Sequence, residues 1–248
     1  MELKGKKINF LGDSITEGAC LEDWNNVYWM RLGRETGATV RGYGIGGTRI
    51  APRLAPERPG EEGFGQYFGS RVAAMDPDAD IVVVWGGTND FGHGDVPLGT
   101  MNDRDNTTFY GALHTLYRDL WEKYPTATIV VMTPLHRVGE HDTLNEHGNP
   151  AIAPFKVMAE TIKEVAAYYS FPVAVFIVLF TRIPQKPNTK SSSILKWLLV
   201  PVTMKQPVPS YANYWMPICR ANPYSIWDVA LQFLPFLPPC GEPIRSRP

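Results

Sequence analysis

Three short segments hold the residues that can do chemistry. Phe10-Leu11-Gly12-Asp13-Ser14-Ile15-Thr16-Glu17-Gly18 puts a serine hydroxyl directly after a short apolar strand that starts near Lys7. Gly42-Tyr43-Gly44-Ile45-Gly46-Gly47 follows a second such stretch, Ala38-Thr39-Val40, and Gly86-Gly87-Thr88-Asn89-Asp90 follows a third, Asp80-Ile81-Val82-Val83-Val84-Trp85. A hydroxyl at the carboxyl end of a parallel strand sits where open α/β sheets take their ligands. A backbone N–H that only glycine lets a substrate approach, and a side-chain amide, are both oxyanion donors. Ser14 as nucleophile, with an amide of the Gly46-Gly47 turn and the Asn89 side chain as donors, is the composition of an acyl-transfer site. Each segment also has a plainer reading. Asp13 or Ser14 can cap the next helix, and Asn89-Asp90 can be an ordinary turn. Convergence of three strand ends in one parallel sheet is what favours chemistry. Asp13 is expected to serve the turn, by bonding nearby backbone.

The elements that must position these segments alternate. Residues 24–36 carry Trp24, Val27, Tyr28, Met30 and Leu32 at helical spacing, and Gly37 supplies the stop. Prolines 52, 56 and 59 make a loop, and residues 66–75 read as a short helix. The β-branched run before Trp85 is the signature of a strand buried on both faces of a parallel sheet. Residues 107–124 form a strong amphipathic helix with Leu113, Leu116, Tyr117, Leu120 and Trp121 on one face. Thr128-Ile129-Val130-Val131-Met132 is a fourth strand, closed by Thr133-Pro134. A polar loop through His136, His141 and His147 leads to a helix over 153–169, and residues 173–179 read as one more strand. This alternation predicts right-handed βαβ crossovers and a three-layer α/β/α sandwich with a mostly parallel central sheet.

Composition excludes several classes. With 24 basic and 25 acidic residues the net charge is −1, which gives nucleic acid or an anionic membrane no handle. The longest apolar run, 173–180, is too short to span a bilayer. The N-terminus enters a strand without an apolar signal region, so a cytoplasmic location is expected. Cys20, Cys219 and Cys240 show no metal spacing, and an odd count argues against a disulfide framework. Gly42-x-Gly44-x-x-Gly47 formally matches the dinucleotide fingerprint, but a helix must start right after that motif and here a proline-rich loop follows.

Taken together, Gly12-Asp13-Ser14-Ile15-Thr16, Gly44-Ile45-Gly46-Gly47-Thr48 and Gly87-Thr88-Asn89-Asp90 resemble the first three sequence blocks of the SGNH hydrolases, the GDSL-like esterase/lipase family. The resemblance spans residues 5–172 and takes in Thr133-Pro134-Leu135-His136-Arg137. It implies a flavodoxin-like SGNH fold and cofactor-free hydrolysis of a small-molecule ester, such as a short acyl ester or an acetylated carbohydrate. It implies Ser14 as nucleophile, Gly47 and Asn89 in the oxyanion hole, and loops 49–65 and 95–106 around the substrate. Trp85, Phe91 and Tyr67 are as compatible with the core as with the pocket. A non-catalytic carbohydrate- or acyl-binding protein on the same scaffold is the alternative.

The family's fourth block, Asp-x-x-His near the C-terminus, is missing. Serine needs such a base because its free hydroxyl is a poor nucleophile. No histidine follows His147, and Asp90-Phe91-Gly92-His93 belongs to the third block, where it reads as part of the rim. His93 and His136, expected in loops on the catalytic face, are the candidate surrogate bases. Composition breaks at the same place. Residues 1–172 hold 21 of 22 glycines and 23 of 25 acidic residues, whereas 173–248 hold 12 of 22 prolines. A core over 1–172 with a divergent or frame-shifted segment over 173–248 accounts for both. Read one base upstream, Thr203-Met204-Lys205-Gln206-Pro207 can spell Asn-Asp-Glu-Ala-Ala, and residues 211–217 can spell Leu-Arg-Lys-Leu-Leu-Asp-Ala. The first resembles the stretch just after the family's catalytic His-Pro, and sequencing the coding DNA tests the idea. One helix over 226–236 is expected in the tail.

Overall fold

The computed structural model describes residues 2–19, 21–54, 65–137 and 139–175, and in it the apolar runs become neighbouring strands. These are β1 (Lys7–Gly12), β2 (Thr39–Gly44), β3 (Ile81–Trp85), β4 (Thr128–Met132) and β5 (Val173–Ala174). All pair in parallel, in the order β2-β1-β3-β4-β5. The chain steps from β1 to one side and then crosses to the other, so β1 and β3 flank a topological switch point, where such sheets bind ligands. Register aligns the strand ends. Gly44, Gly12, Trp85 and Met132 form one row across the sheet, and every block identified in the sequence begins within a few residues of that row.

Alternating side chains feed two cores, one on each face. Leu11, Val82, Val84, Ile129 and Val131 meet α3 (Phe68–Val72), α5 (Phe109–Lys123) and α6 (Phe155–Tyr168). Ile8, Phe10, Val83, Trp85 and Val130 meet α2 (Tyr28–Thr36) on the opposite face. Helices on both faces of a parallel sheet give the expected three layers. Each large apolar side chain removed from water here contributes about 1.5–3 kcal/mol. Aromatic edges add specificity, with Tyr28 meeting Phe10 at 5.4 Å and Trp85 at 5.2 Å, both near-perpendicular.

Several expectations need correction. The helix over 24–36 is two pieces. Asp23 caps a single 3₁₀ turn, Trp24–Asn26, by accepting from Asn25 N–H, and Val27 then leaves helical conformation before α2 begins. Val27 is fully buried against the turn at Gly18, where a Cβ would meet its Cγ2 at 2.4 Å. Tertiary packing overrides the periodicity there. Asn89 and Asp90 are not in a turn: α4 (Thr88–His93) starts as soon as Gly87, at φ +106°, ends the strand. His93 is therefore the last residue of a helix rather than a loop residue. Gly42 and Gly44 lie inside β2, where a Cβ would strike Trp29 at 2.3 Å and the backbone of Glu17 at 2.1 Å. They serve close packing, with no helix behind them. No helix among the described residues is long and apolar enough to cross a membrane. The strand expected over 173–179 is described only as β5, and the helix over 226–236 lies outside the described residues.

Candidate active site

Ser14 opens α1 (Ser14–Glu17), a single turn at the carboxyl end of β1. Asp13 caps it, its carboxylate accepting from Ile15 N–H at 3.0 Å, as expected for a residue that serves the turn. Gly12 is obligatory, because a Cβ there would lie 1.9 Å from the Thr16 hydroxyl. Ser14 is 4 % exposed, and among the described residues no protein group hydrogen-bonds its hydroxyl.

The second block folds back on the first. Ile45 N–H donates to Gly12 O at 3.3 Å, and a Cβ on Gly46 would sit 3.8 Å from Ser14 Cβ. Gly47 adopts φ +72° with open space on its Cβ side, so it supplies a left-handed turn and a bare amide rather than a tight fit. The third block grips the second. Asn89 Nδ2 donates to Thr48 O at 2.8 Å, and Asp90 accepts from Ile50 N–H and Ala51 N–H, both at 3.0 Å. An amide nitrogen has two hydrogens. One holds Asn89 against the residue after Gly47, which orients the other. Asp90 is fully buried and Phe91 is core, so this segment, read from the sequence as a loop on the site's rim, is a buried helix. Trp85 is also core, whereas Tyr67 is half-buried and accepts from Asn106 Nδ2 at 3.2 Å.

Arg71 had no motif to announce it. From α3 its Nη1 donates to Tyr43 O at 2.6 Å, and its Nη2 donates to Gly12 O and to the Thr48 hydroxyl, both at 3.1 Å. One guanidinium thus joins the ends of β1 and β2 to the second block. The loops expected around the substrate are also joined, because Arg49 pairs with Asp95 at 2.7 Å and Leu54 N–H donates to the same carboxylate at 3.1 Å.

The candidate bases differ in their surroundings. His93, one helical turn beyond Asn89, is held well below its ordinary pKa, at about 3, by burial first and then by the charges of Arg49, Arg53 and Arg137. Its buried Nδ1 has no partner among the described residues, and its ring meets His147 at 6.0 Å. His136 has a carboxylate beside it, with Nδ1 lying 2.7 and 2.9 Å from the Glu140 oxygens. Glu140 is held in turn by Arg137 N–H at 3.2 Å. Arg137 reaches back to Thr88 O at 2.9 Å, so this loop abuts the residue before Asn89. Neither imidazole hydrogen-bonds Ser14. A glutamate four residues after the histidine was the available signal for the pair. No cluster of three metal-ligating side chains occurs among the described residues.

Burial raises the Asp13 carboxyl to about 7, with the charge of Asp90 adding to the effect and Arg71 opposing it. An unfolded aspartate titrates near 3.9. The folded state therefore favours the protonated form, and Asp13 costs increasing stability as the pH rises from about 4 to 7. An asparagine at this position keeps a cap oxygen without a charge. The thermal midpoint of Asp13→Asn, relative to wild type, should rise by several degrees between pH 5 and pH 8. A constant difference across that range would show that the carboxyl titrates normally.

The chain matches the family model of the GDSL-like lipases and acylhydrolases over residues 10–194. Among solved structures, one is 32 % identical with a TM-score of 0.59, covering 71 % of this chain and 80 % of its own. A protein from Lactobacillus plantarum is 28 % identical with a TM-score of 0.56, covering 70 % and 78 %. A protein described as a GDSL-like lipase, from Bacteroides uniformis, shares the fold at 21 % identity and a TM-score of 0.51, covering 68 % and 82 %. No curated protein matches.

Proposed function

The chain belongs to the GDSL-like lipase/acylhydrolase family, and on that footing we propose that it is a serine ester hydrolase acting on a small-molecule ester. Ser14 attacks the acyl carbonyl, and the Ser14 and Gly47 N–H groups with the Asn89 amide take the developing oxyanion. Departure of the alcohol leaves an acyl-serine, which water hydrolyses. The observation that carries this reading is the bond from Asn89 Nδ2 to Thr48 O, which sets the third block's donor beside the glycine of the second.

For the base, the arrangement favours His136. A serine–imidazole pair needs a third group to orient the ring, and Glu140 has the geometry for that role. His93 hydrogen-bonds no carboxylate among the described residues, and burial, then neighbouring positive charge, makes it a feeble proton acceptor. In the absence of a hydrogen bond to Ser14, turnover is slow. The segment over 173–248 we read as a divergent or frame-shifted continuation of the core, and the compartment as cytoplasmic.

Hydrolysis of p-nitrophenyl acetate tests the proposal. Wild type should exceed the buffer rate, and Asn89→Ala should lower kcat about 10²–10³-fold, the usual cost of one oxyanion donor. His136→Ala should lose most of the remaining activity, with Glu140→Gln falling alongside it and His93→Ala changing little. Activity indifferent to both Asn89 and His136 would reject the assignment. Binding of an acylated sugar without turnover would favour the non-catalytic reading.

A further inference from the structure

Arg71 is an unusual cation for its position. Its residue is 9 % exposed, and it seats on the ring of Phe68 at 4.9 Å. All three of its acceptors are uncharged: two main-chain carbonyls and the Thr48 hydroxyl. Among the described residues it has no salt-bridge partner, and Asp13 and Glu17 act on it only at a distance. A buried, unpaired charge costs stability. A neutral donor of the same reach would tie the two strand ends together without that cost. Asp13 and Glu17 gain from that charge, and so would an anion that forms on the substrate beside them.

The groups it touches point to that anion. Gly12 O lies two residues before Ser14, and Thr48 directly follows Gly47. The same Thr48 accepts at its carbonyl from Asn89. Arg71 is therefore bonded to the backbone two residues before Ser14 and to the side chain that follows Gly47, and it meets Asn89 through the shared Thr48. A fixed positive charge there, in a poorly screened interior, stabilises negative charge that develops on the reacting oxygen. We propose that Arg71 is a positioning residue whose charge backs the oxyanion hole, aligning Ser14 and Gly47 and favouring the anionic transition state over the neutral ester. The proposal rests on Ser14 being the nucleophile.

The test compares Arg71→Lys, which keeps the charge, with Arg71→Gln, which removes it, in the full chain. The readouts are kcat and KM for p-nitrophenyl acetate, affinity for phenylboronic acid, and the thermal midpoint. A boronic acid captured by a serine hydroxyl becomes a tetrahedral anion, so it reports oxyanion stabilisation without turnover. Arg71→Gln should lower kcat and boronate affinity at least about tenfold while KM moves by less than about threefold. Arg71→Lys should recover most of both, although its midpoint also falls because three oriented bonds cannot be remade. Equal losses in the two variants, or a loss confined to KM or to the midpoint, would overturn the proposal. Should Arg71→Gln not fold, Arg71→Lys decides alone: boronate affinity within about threefold of wild type supports the charge, and a loss beyond about tenfold refutes it. If wild type and Ser14→Ala both fail to hydrolyse ester and to capture boronate, the nucleophile assignment has failed and this proposal falls with it. If wild type captures boronate, Ser14→Ala does not and Arg71→Gln still does, only the role of Arg71 is rejected.

Discussion

Ser14→Ala should bring ester hydrolysis down close to the buffer rate while leaving the fold intact. The first half follows from the chemistry, because without the hydroxyl no acyl-serine forms and the remaining donors can assist only direct attack by water. Removal of a serine nucleophile in an efficient hydrolase costs about 10⁶-fold in kcat. Here the loss is capped by a modest wild-type rate, since no imidazole hydrogen-bonds the hydroxyl among the described residues. The second half follows from the local structure. Ser14 is nearly buried, its hydroxyl has no protein partner among the described residues, and the helix cap belongs to Asp13, so nothing structural is lost with the oxygen. Thermal midpoints should agree within a degree or two. A Ser14→Ala protein with more than about a tenth of wild-type activity would reject the nucleophile; a large midpoint shift would show a structural role instead.

Asp90→Ala should have the largest effect on stability. Asp90 has no exposed surface, and its two oxygens take the N–H groups of Ile50 and Ala51, which are themselves 2 % and 1 % exposed. Removing the carboxylate leaves two buried donors that water cannot reach, at about 1–3 kcal/mol each, together with a void. A loss of about 3–5 kcal/mol is expected, a large part of a typical domain stability of about 5–15 kcal/mol. Asp90→Asn keeps one acceptor and turns an amide toward the other N–H. It also removes a carboxylate whose pKa burial has raised to about 6. Its loss should be about half as large. Urea midpoints of the three proteins check this ordering. A loss below about 1 kcal/mol for Asp90→Ala would mean that residues 50–51 are held by other contacts.

How much of this was legible beforehand depends on the range of the interaction. The β-branched run into Trp85 could only be a buried strand, and it is. The helix over 153–169 appears within two residues at either end, because its apolar face is continuous. The helix over 24–36 failed at Val27, where a contact with Gly18 from a separate element outweighs local spacing. The same limit applied at the site. Gly12, Ser14, Gly47 and Asn89 stood out as candidates because each lies in a glycine-containing segment just after an apolar strand. Arg71 was not, since an arginine in a short helix carries no local constraint, and Glu140 left only its spacing of four residues from His136. Asp90 was visible but misread as rim, because a carboxylate beside a strand end is usually solvated, and only its two partners show otherwise.

By itself the sequence determined the layered α/β architecture and the three strand ends that carry Ser14, Gly47 and Asn89. Periodicity and residue type suffice for that, since each acts within a few positions of the chain. Only the tertiary structure decided how the three ends are locked to one another. Asn89 and Asp90 hold the second block from the end of β3, and Arg71 holds it from α3, across separations that no local pattern encodes. It also separated the two histidines: burial and then arginine charges hold His93 well below its ordinary pKa, whereas the Glu140 carboxylate lies beside the His136 ring. Desolvation and charge neighbourhood are properties of the folded interior. They exist only after distant segments have been brought together.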